Sequence, residues 1–245
     1  MVNIHRHELA ATVSDEQALE LFRRQWAVYQ KLIDNDYVNH AEVYGILHRV
    51  LADEVKGRFR VLDLACGDAS AIVGALRGTQ IAHYHGIDLA RPALELAERS
   101  LDTLGCEVEL EQRDFIEALR DRPEPADVVW FGLSLHHLPT ADKRTLMREI
   151  RGVLDEHGRF LMYEPTSPDG EDRNGYLSRF EQISRQSWTA LTPAEWQALM
   201  THVRTCDLPE TVSSWIALGH EAGFRAADEL FKAPSDLYRM FCYRA

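Results

Sequence analysis

Apolar residues recur along this chain in two rhythms. In the first stretch Leu19, Phe22, Trp26, Tyr29 and Ile33 return every three to four positions. That is the repeat of one buried helical face. Ser14 and Gln17 precede it as a capping box, which supplies partners for the unpaired N–H groups of a helix start. Asn35-Asp36-Tyr37 breaks the pattern, and Val43, Leu47, Val50 and Val55 mark a second helix over about 40–56. Residues 1–13 are polar, with no apolar periodicity.

From residue 59 the rhythm changes. Phe59-Arg60-Val61-Leu62-Asp63-Leu64 is a short apolar run, as suits a strand buried on both faces. A helix is expected over about 69–77. A second strand follows at Ile81-Ala82-His83-Tyr84-His85-Gly86-Ile87 and ends on Asp88. Pro92 opens a helix carrying Leu94, Ala97 and Leu101, because proline fits the first helical turn. Val108 and Leu110 mark a third strand, Asp127 to Phe131 a fourth and Gly158 to Tyr163 a fifth. Leu146, Ile150 and Val153 give a helix face between the last two.

Residues 165–205 depart from the alternation. Pro165 to Gly170 reads as a loop, and 171–205 as an inserted helical element. Thr192-Pro193-Ala194-Glu195 places a cap, a first-turn proline and a reciprocal glutamate at one helix start. A helix opened by Pro209 and closed by Gly223 follows, then two strands over 224–233 and 237–243. Strands alternating with helices define an α/β fold: a doubly wound, mostly parallel seven-stranded sheet with an antiparallel last strand. The expected divisions are an N-terminal helical cap over 1–57 and one domain over 58–245, with a lid insertion at about 165–205.

Composition narrows the function. With 45% hydrophobic residues in 245, the chain can bury one sizeable core. Its 27 basic and 39 acidic residues leave a net charge of −12, which repels a phosphate backbone and disfavours a nucleic-acid partner. No apolar run approaches the length of a membrane span. The four cysteines, at 66, 106, 206 and 242, form no CxxC pair, and the first residues carry no apolar signal segment. A reducing, cytoplasmic setting is expected.

The candidate chemistry lies at strand ends. Asp63 precedes a tight turn at Gly67, and the next strand ends on Asp88, 21 residues on. In an open α/β sheet ligands bind at the carboxyl ends of the strands. A carboxylate at Asp88 can accept both ribose hydroxyl hydrogens, and Asp114 after the third strand can meet an adenine edge. A diphosphate prefers a glycine-rich turn free of carboxylates. The turn here is ACGDAS, flanked by Asp63 and containing Asp68, which suits a cationic or zwitterionic ligand.

These segments resemble the class I S-adenosylmethionine-dependent methyltransferases. VLDLACGDAS is similar to their first motif, GIDLARPALELAE to the second, QRDF to the third and DVVWFGLSLHHLP to the fourth. LDEHGRFLMYEP resembles their fifth-strand segment. Ala65 and Ala69 stand where the family usually has glycine, and alanine does not enter left-handed backbone conformations cheaply. The resemblance implies S-adenosylmethionine as cofactor and S-adenosylhomocysteine as product. It places Ala65 and Gly67 against the amino-acid part and Asp63 on its ammonium. Asp88 would hold the ribose, Leu89 pack on the adenine, Asp114 and Phe115 frame its edge, and Gly132 face the methyl donor.

The same resemblance implies a small-molecule acceptor. No DPPY-type segment follows the fourth strand, and no Pro-Cys pair is present, which disfavours base methylation. His136 and His137 follow the fourth strand, where an acceptor must approach, and are candidate general bases. Tyr37 and His40, in the break between the N-terminal helices, and Tyr163 are candidate acceptor contacts. Arg173, Arg179 and Arg185 form either a carboxylate-binding group or a solvated helix face. His83 and His85 share a strand face without a visible third ligand, so no metal site is expected. The oligomeric state is open, with a homodimer among the options.

Overall fold

The computed structural model describes residues 26–121 and 124–245. The Ser14–Gln17 capping box, Leu19 and Phe22 lie outside the described residues. Helix α1 is described over 26–34 and ends in a turn at 35–38. α2 (His40–Arg49) buries Val43 and Leu47, as their spacing requires, and widens into a π-helical turn over Val50–Glu54. The elements that follow are β1 (Phe59–Leu64), α3 (Ser70–Leu76), β2 (Ile81–Asp88), α4 (Arg91–Leu101), β3 (Glu107–Gln112), α5 (Phe115–Arg120) and β4 (Ala126–Gly132). After a short 3-10 turn at Leu135–His137 come α6 (Thr140–Val153) and β5 (Leu154–Ser167). α7 (Arg173–Ser187), α8 (Pro193–Cys206), β6 (Glu210–Thr211), α9 (Val212–Glu221), β7 (Ala226–Lys232) and β8 (Tyr238–Arg244) complete the chain.

The sheet order is β3-β2-β1-β4-β5-β8-β7, with the two-residue β6 attached to the end of β5. β8 runs antiparallel to both neighbours, and the β1, β2, β3, β4 and β5 pairings are parallel. The expected α/β architecture with one antiparallel strand is therefore present. Alternation along the strands divides the core in two. Val61, Val128, Trp130, Leu161 and Tyr163 pack on one face with Val43, Leu47 and Ile72. Leu62, Val129, Phe131, Phe160 and Met162 pack on the other with Phe115, Leu146 and Trp215. On that second face α9 lies so close to β8 that a side chain at Gly219 would overlap the Tyr243 ring.

Two of the boundaries that differ from expectation bear on the inserted segment. The segment read as a loop from Pro165 is still strand, because Pro165 pairs with Tyr238, and Thr166 and Ser167 pair with Glu210 and Thr211. The latter pairing also moves the start of α9. Thr211, not Pro209, opens that helix, its side chain accepting from Ser214 N at 3.2 Å.

The inserted helices do not stand apart from the N-terminal ones. Lys31 on α1 donates to both carboxylate oxygens of Glu195 on α8, at 2.7 and 2.8 Å. The Tyr37 ring stacks on Trp188 at 5.4 Å, and its hydroxyl accepts from Ala190 N at 2.9 Å. From below, the buried Tyr163 hydroxyl donates to Val38 O at 2.8 Å.

Candidate active site

A cleft opens at the carboxyl ends of β1, β2 and β4, where the sheet order reverses direction. Asp63, Ala65, Gly67 and Asp88 line its floor, and Trp130, Gly132 and Leu133 one wall. Trp26, Tyr29 and Ile33 from α1, with Tyr44 from α2, cover it. The room left for solvent is about 60 Å³, enough for a few waters, so the aromatic cover already leans into the cleft.

The turn after β1 keeps a strained geometry without the usual glycines. Ala65 has φ 57°, Gly67 φ 58° and Ala69 φ 53°, all left-handed. Alanine pays for this conformation with Cβ crowding of about 1–2 kcal/mol. The surroundings enforce it: Gly67 N donates to Asp88 Oδ2 at 3.0 Å, and Cys66 N to Ile87 O at 3.1 Å. Asp88 Oδ1 also accepts from Ala90 N at 2.8 Å. Asp88 thus ties the turn to the end of β2 and keeps further lone pairs for a ligand. Leu133 is left-handed as well, at φ 53°, held by its N–H on Tyr163 O at 2.8 Å.

Asp63 is buried, and the Tyr84 hydroxyl donates to its Oδ2 at 2.6 Å. Burial pushes its carboxyl up to about 8, with the Tyr84 bond pulling the other way. A carboxyl held this way ionises when a cation arrives. Burial also raises the Tyr29 and Tyr44 phenols, so both rings meet a ligand as neutral surfaces. Cys66 beside the turn is raised by burial too, which leaves it a poor nucleophile.

Of the residues expected at the cofactor, Asp63, Ala65, Gly67, Asp88 and Gly132 meet at this cleft. Leu89, Asp114 and Phe115 lie beyond its lining. Leu89 is an exposed apolar side chain at the end of β2. Asp114 caps α5, its Oδ1 accepting from Ile116 N at 2.9 Å and Glu117 N at 3.3 Å. Phe115 is buried edge-on against Phe131 at 5.0 Å. The expected acceptor contacts are joints between elements. Tyr37 and Tyr163 make the bonds described above. His40 is buried between the Tyr29 and Tyr44 rings, and burial lowers its imidazole to about 4.

His136 and His137 do not line the cleft. His136 is buried with Nδ1 2.6 Å from Glu164 Oε2. Glu164 also accepts from the backbone N–H groups of Ser134, Leu135 and His136 at 2.9–3.2 Å, so it shapes the turn after β4. Burial raises Glu164 to about 7 and drives both histidines well below their ordinary range. Asp207, just after α8, is raised to about 8 by burial and by the Glu164 charge. Neither Glu164 nor Asp207 carried a sequence signal. They reach the histidines from 28 and about 70 residues away, where periodicity says nothing.

The arginines of the insertion hold the fold. Arg173 donates to Asp207 O and Arg204 O, both at 2.6 Å. Arg179 pairs with Glu171 at 2.7 Å, and the Arg185 guanidinium sits 4.2 Å from the Trp196 ring centre. His83 and His85 approach Glu109 and Glu111 at 3.4–3.9 Å, acids from β3 that strand alternation brings to the same face.

Residues 61–158 match the family described as Methyltransferase domain. The chain is similar to YcgJ of Bacillus subtilis, named an uncharacterized methyltransferase, at 26% identity over 176 residues, 68% of this chain and 67% of that protein. It is also similar to the carboxy-S-adenosyl-L-methionine synthase of Chromohalobacter salexigens, at 22% over 212 residues, 84% of this chain and 76% of that one. Among solved structures, magnesium protoporphyrin IX methyltransferase of Synechocystis PCC 6803, with bound S-adenosylhomocysteine, has the same fold. Its TM-score is 0.63 at 15% identity, over 92% of this chain and 94% of that one. Other matched structures are longer: the chain spans 60% of an O-methyltransferase family protein from Burkholderia thailandensis and 54% of the mitomycin 7-O-methyltransferase MmcR.

Sheet order, strained turn and family match together define a class I S-adenosylmethionine-dependent methyltransferase fold. Residues 61–158 form a methyltransferase domain on this fold. The donor set fits that cofactor: a buried carboxyl at Asp63 lines a cleft roofed by neutral rings, with no basic side chain in the lining among the described residues to hold a diphosphate.

Proposed function

We propose that this protein transfers a methyl group to an oxygen, nitrogen or sulfur nucleophile of a small molecule. The observation that carries this reading is the pairing of Asp63 and Asp88 below with Trp26, Tyr29, Tyr44 and Trp130 around the same cleft. Carboxylates attract an ammonium and a sulfonium, and the faces of aromatic rings add to that attraction. When bound, S-adenosylmethionine supplies an electrophilic methyl on a good, neutral leaving group.

The residues divide the remaining work. Asp63 takes the ammonium, directly or through a water, and loses its proton in doing so. Asp88 receives the ribose hydroxyls on its spare lone pairs. Ala65, Gly67 and Gly132 let the ligand approach the backbone. Leu89 packs on the adenine from the open side, with Asp114 and Phe115 fixing the end of α5 beside it. The aromatic cover excludes water, and the main demand left is in-line alignment of the nucleophile. A phenolate, carboxylate or thiolate needs little more, whereas a neutral amine or alcohol also needs a base. His136 and His137 stand outside the lining, so no proton is routed through them.

A small acceptor is supported by the cover itself. α1 and α8 are clasped through Lys31 and Glu195, and Tyr37, His40 and Tyr163 shape the joint beside them. The net charge of −12 supports a partner other than nucleic acid. No helix among the described residues is long and apolar enough to cross a membrane. We place the reaction in the cytoplasm, carried out by a monomer or homodimer.

Calorimetric titration with S-adenosylmethionine and S-adenosylhomocysteine tests the cofactor, and transfer of labelled methyl to phenols, carboxylic acids, thiols and amines tests the acceptor. Absence of binding of either ligand at high micromolar concentration rejects the reading. A second reading rests on the narrow cleft and the alignment with a carboxy-S-adenosyl-L-methionine synthase: the protein binds the cofactor without methylating. It predicts binding without a methylated product across the whole panel.

A further inference from the structure

Beside the cleft, at the carboxyl edge of β4, four side chains from two distant segments converge on one point. Asp207 Oδ1 lies 3.6 Å from His136 Nε2 and 3.6 Å from His137 Nδ1. His202 Nε2, on α8, is 3.8 Å from the same oxygen. These separations are too long for hydrogen bonds. Ligand atoms about 2.0–2.1 Å from a tetrahedral cation lie about 3.3 Å from each other, slightly inside the spacing found.

The polarity of the cluster is wrong without a cation. His136 Nδ1 faces the Glu164 carboxylate at 2.6 Å, so it carries the hydrogen and leaves Nε2 as a bare lone pair. That lone pair faces Asp207 Oδ1 across 3.6 Å with no hydrogen bond between them. Asp207 Oδ1 is buried with no hydrogen-bond partner, and so is His137 Nε2, whereas His137 Nδ1, the nitrogen that faces Asp207, has a long contact to Cys206 O at 3.5 Å. Asp207 is 4% exposed and the His137 side chain 3%. Buried polar atoms without partners are uncommon in native proteins and point to an unseen water or ion. A cation at this point would satisfy the His136 Nε2 lone pair and Asp207 Oδ1 together. The Glu164–His136 pair has the form of the carboxylate–imidazole couple that orients metal-bound histidines from behind.

We propose that His136, His137 and Asp207 form a binding site for a divalent cation of the zinc type, with Glu164 orienting His136 and His202 closing the fourth side. Two or three imidazoles and one carboxylate suit zinc and its neighbours, whereas magnesium and calcium demand oxygen donors. The site joins the turn after β4 to the end of α8 and so fastens the inserted helices to the sheet. It goes beyond methyl transfer and does not depend on it, since none of these residues lines the cofactor cleft.

The test uses the tag-free full chain, stripped with a chelator and titrated with Co2+ and then Zn2+. We expect one equivalent of Co2+ to bind with the visible absorption of a four-coordinate imidazole site, and Zn2+ to displace it and raise Tm. Asp207→Asn and His137→Ala should each weaken Zn2+ binding at least tenfold. Glu164→Gln should weaken it about ten- to a hundredfold without removing a ligand. His83→Ala with His85→Ala should leave it unchanged. A wild-type chain that shows no visible Co2+ absorption and no Tm shift with Zn2+ overturns the proposal, whatever the variants do. So does binding that survives both Asp207→Asn and His137→Ala but is lost with His83 and His85.

Discussion

The Tyr84 hydroxyl donates to Asp63 Oδ2 across 2.6 Å at the floor of the cleft, so one oxygen of the key carboxyl is spoken for before any ligand arrives. Asp63 lines the cleft where a cationic group would sit. With burial holding this carboxyl near 8, cofactor binding at neutral pH must expel a proton. Affinity for S-adenosylmethionine should therefore fall as pH drops below about 8, by at most tenfold per unit. Tyr84→Phe removes the bond that opposes the shift and should move the whole profile to higher pH. Calorimetry in buffers of different ionisation enthalpy reads both effects, and a flat profile between pH 6 and 9 would falsify the assignment.

The same carboxyl has a stability signature. Its pKa is raised on folding, so its contribution is complete below the ordinary aspartate range and is lost as pH rises through about 8. Asp63→Asn should make the ligand-free protein more stable than wild type above pH 8, by about 1 kcal/mol or more, with the difference shrinking as pH falls and vanishing below about pH 3. Thermal melts across this range decide the sign.

Ala65→Gly and Ala69→Gly should stabilise the chain. Each relieves left-handed crowding of about 1–2 kcal/mol and adds back up to about 1 kcal/mol of backbone entropy. The net gain expected from chemical denaturation is about 0.5–1 kcal/mol each. A loss at both positions would mean that the turn is not held as described.

Gly219→Ala should cost about 1–3 kcal/mol, because the new methyl must displace the Tyr243 ring from between α9 and β8. Cofactor affinity, measured below the lowered Tm, should not change, since this packing lies on the opposite core face from the cleft cover.

Lys31→Ala removes a partly exposed ion pair and should lower stability by no more than about 1 kcal/mol. Its larger effect should be local. Hydrogen exchange over 26–34 should speed up several-fold, and cofactor should dissociate faster. Equal protection of that helix in both proteins would show that the clasp does not hold it down.

The sequence made the sheet and the cleft floor readable because both rest on local signals. Apolar runs that end on Asp63 and Asp88, separated by a helix, can be built in few ways. The strain at Ala65 and Ala69 was harder to foresee, since the Asp88 and Ile87 partners that enforce it lie about 21 residues away. Asp114 shows the limit of residue identity: an acid after a strand serves a ligand or a helix start equally well, and here it accepts two helix N–H groups. The joints at Tyr37 and Tyr163, and the convergence of Glu164 and Asp207 on the histidines, are products of chain folding over long separations. No spacing rule reaches them.

The clasp between Lys31 and Glu195 spans 164 positions. On a ribosome adding about 5–20 residues each second, the early half of that pair waits roughly ten to thirty seconds for the late half to emerge. Helix α1, with Trp26 and Tyr29, is thus born without its clasp, and a nascent chain stalled before α8 would carry that helix as a loosely fastened apolar flap for chaperones to shield.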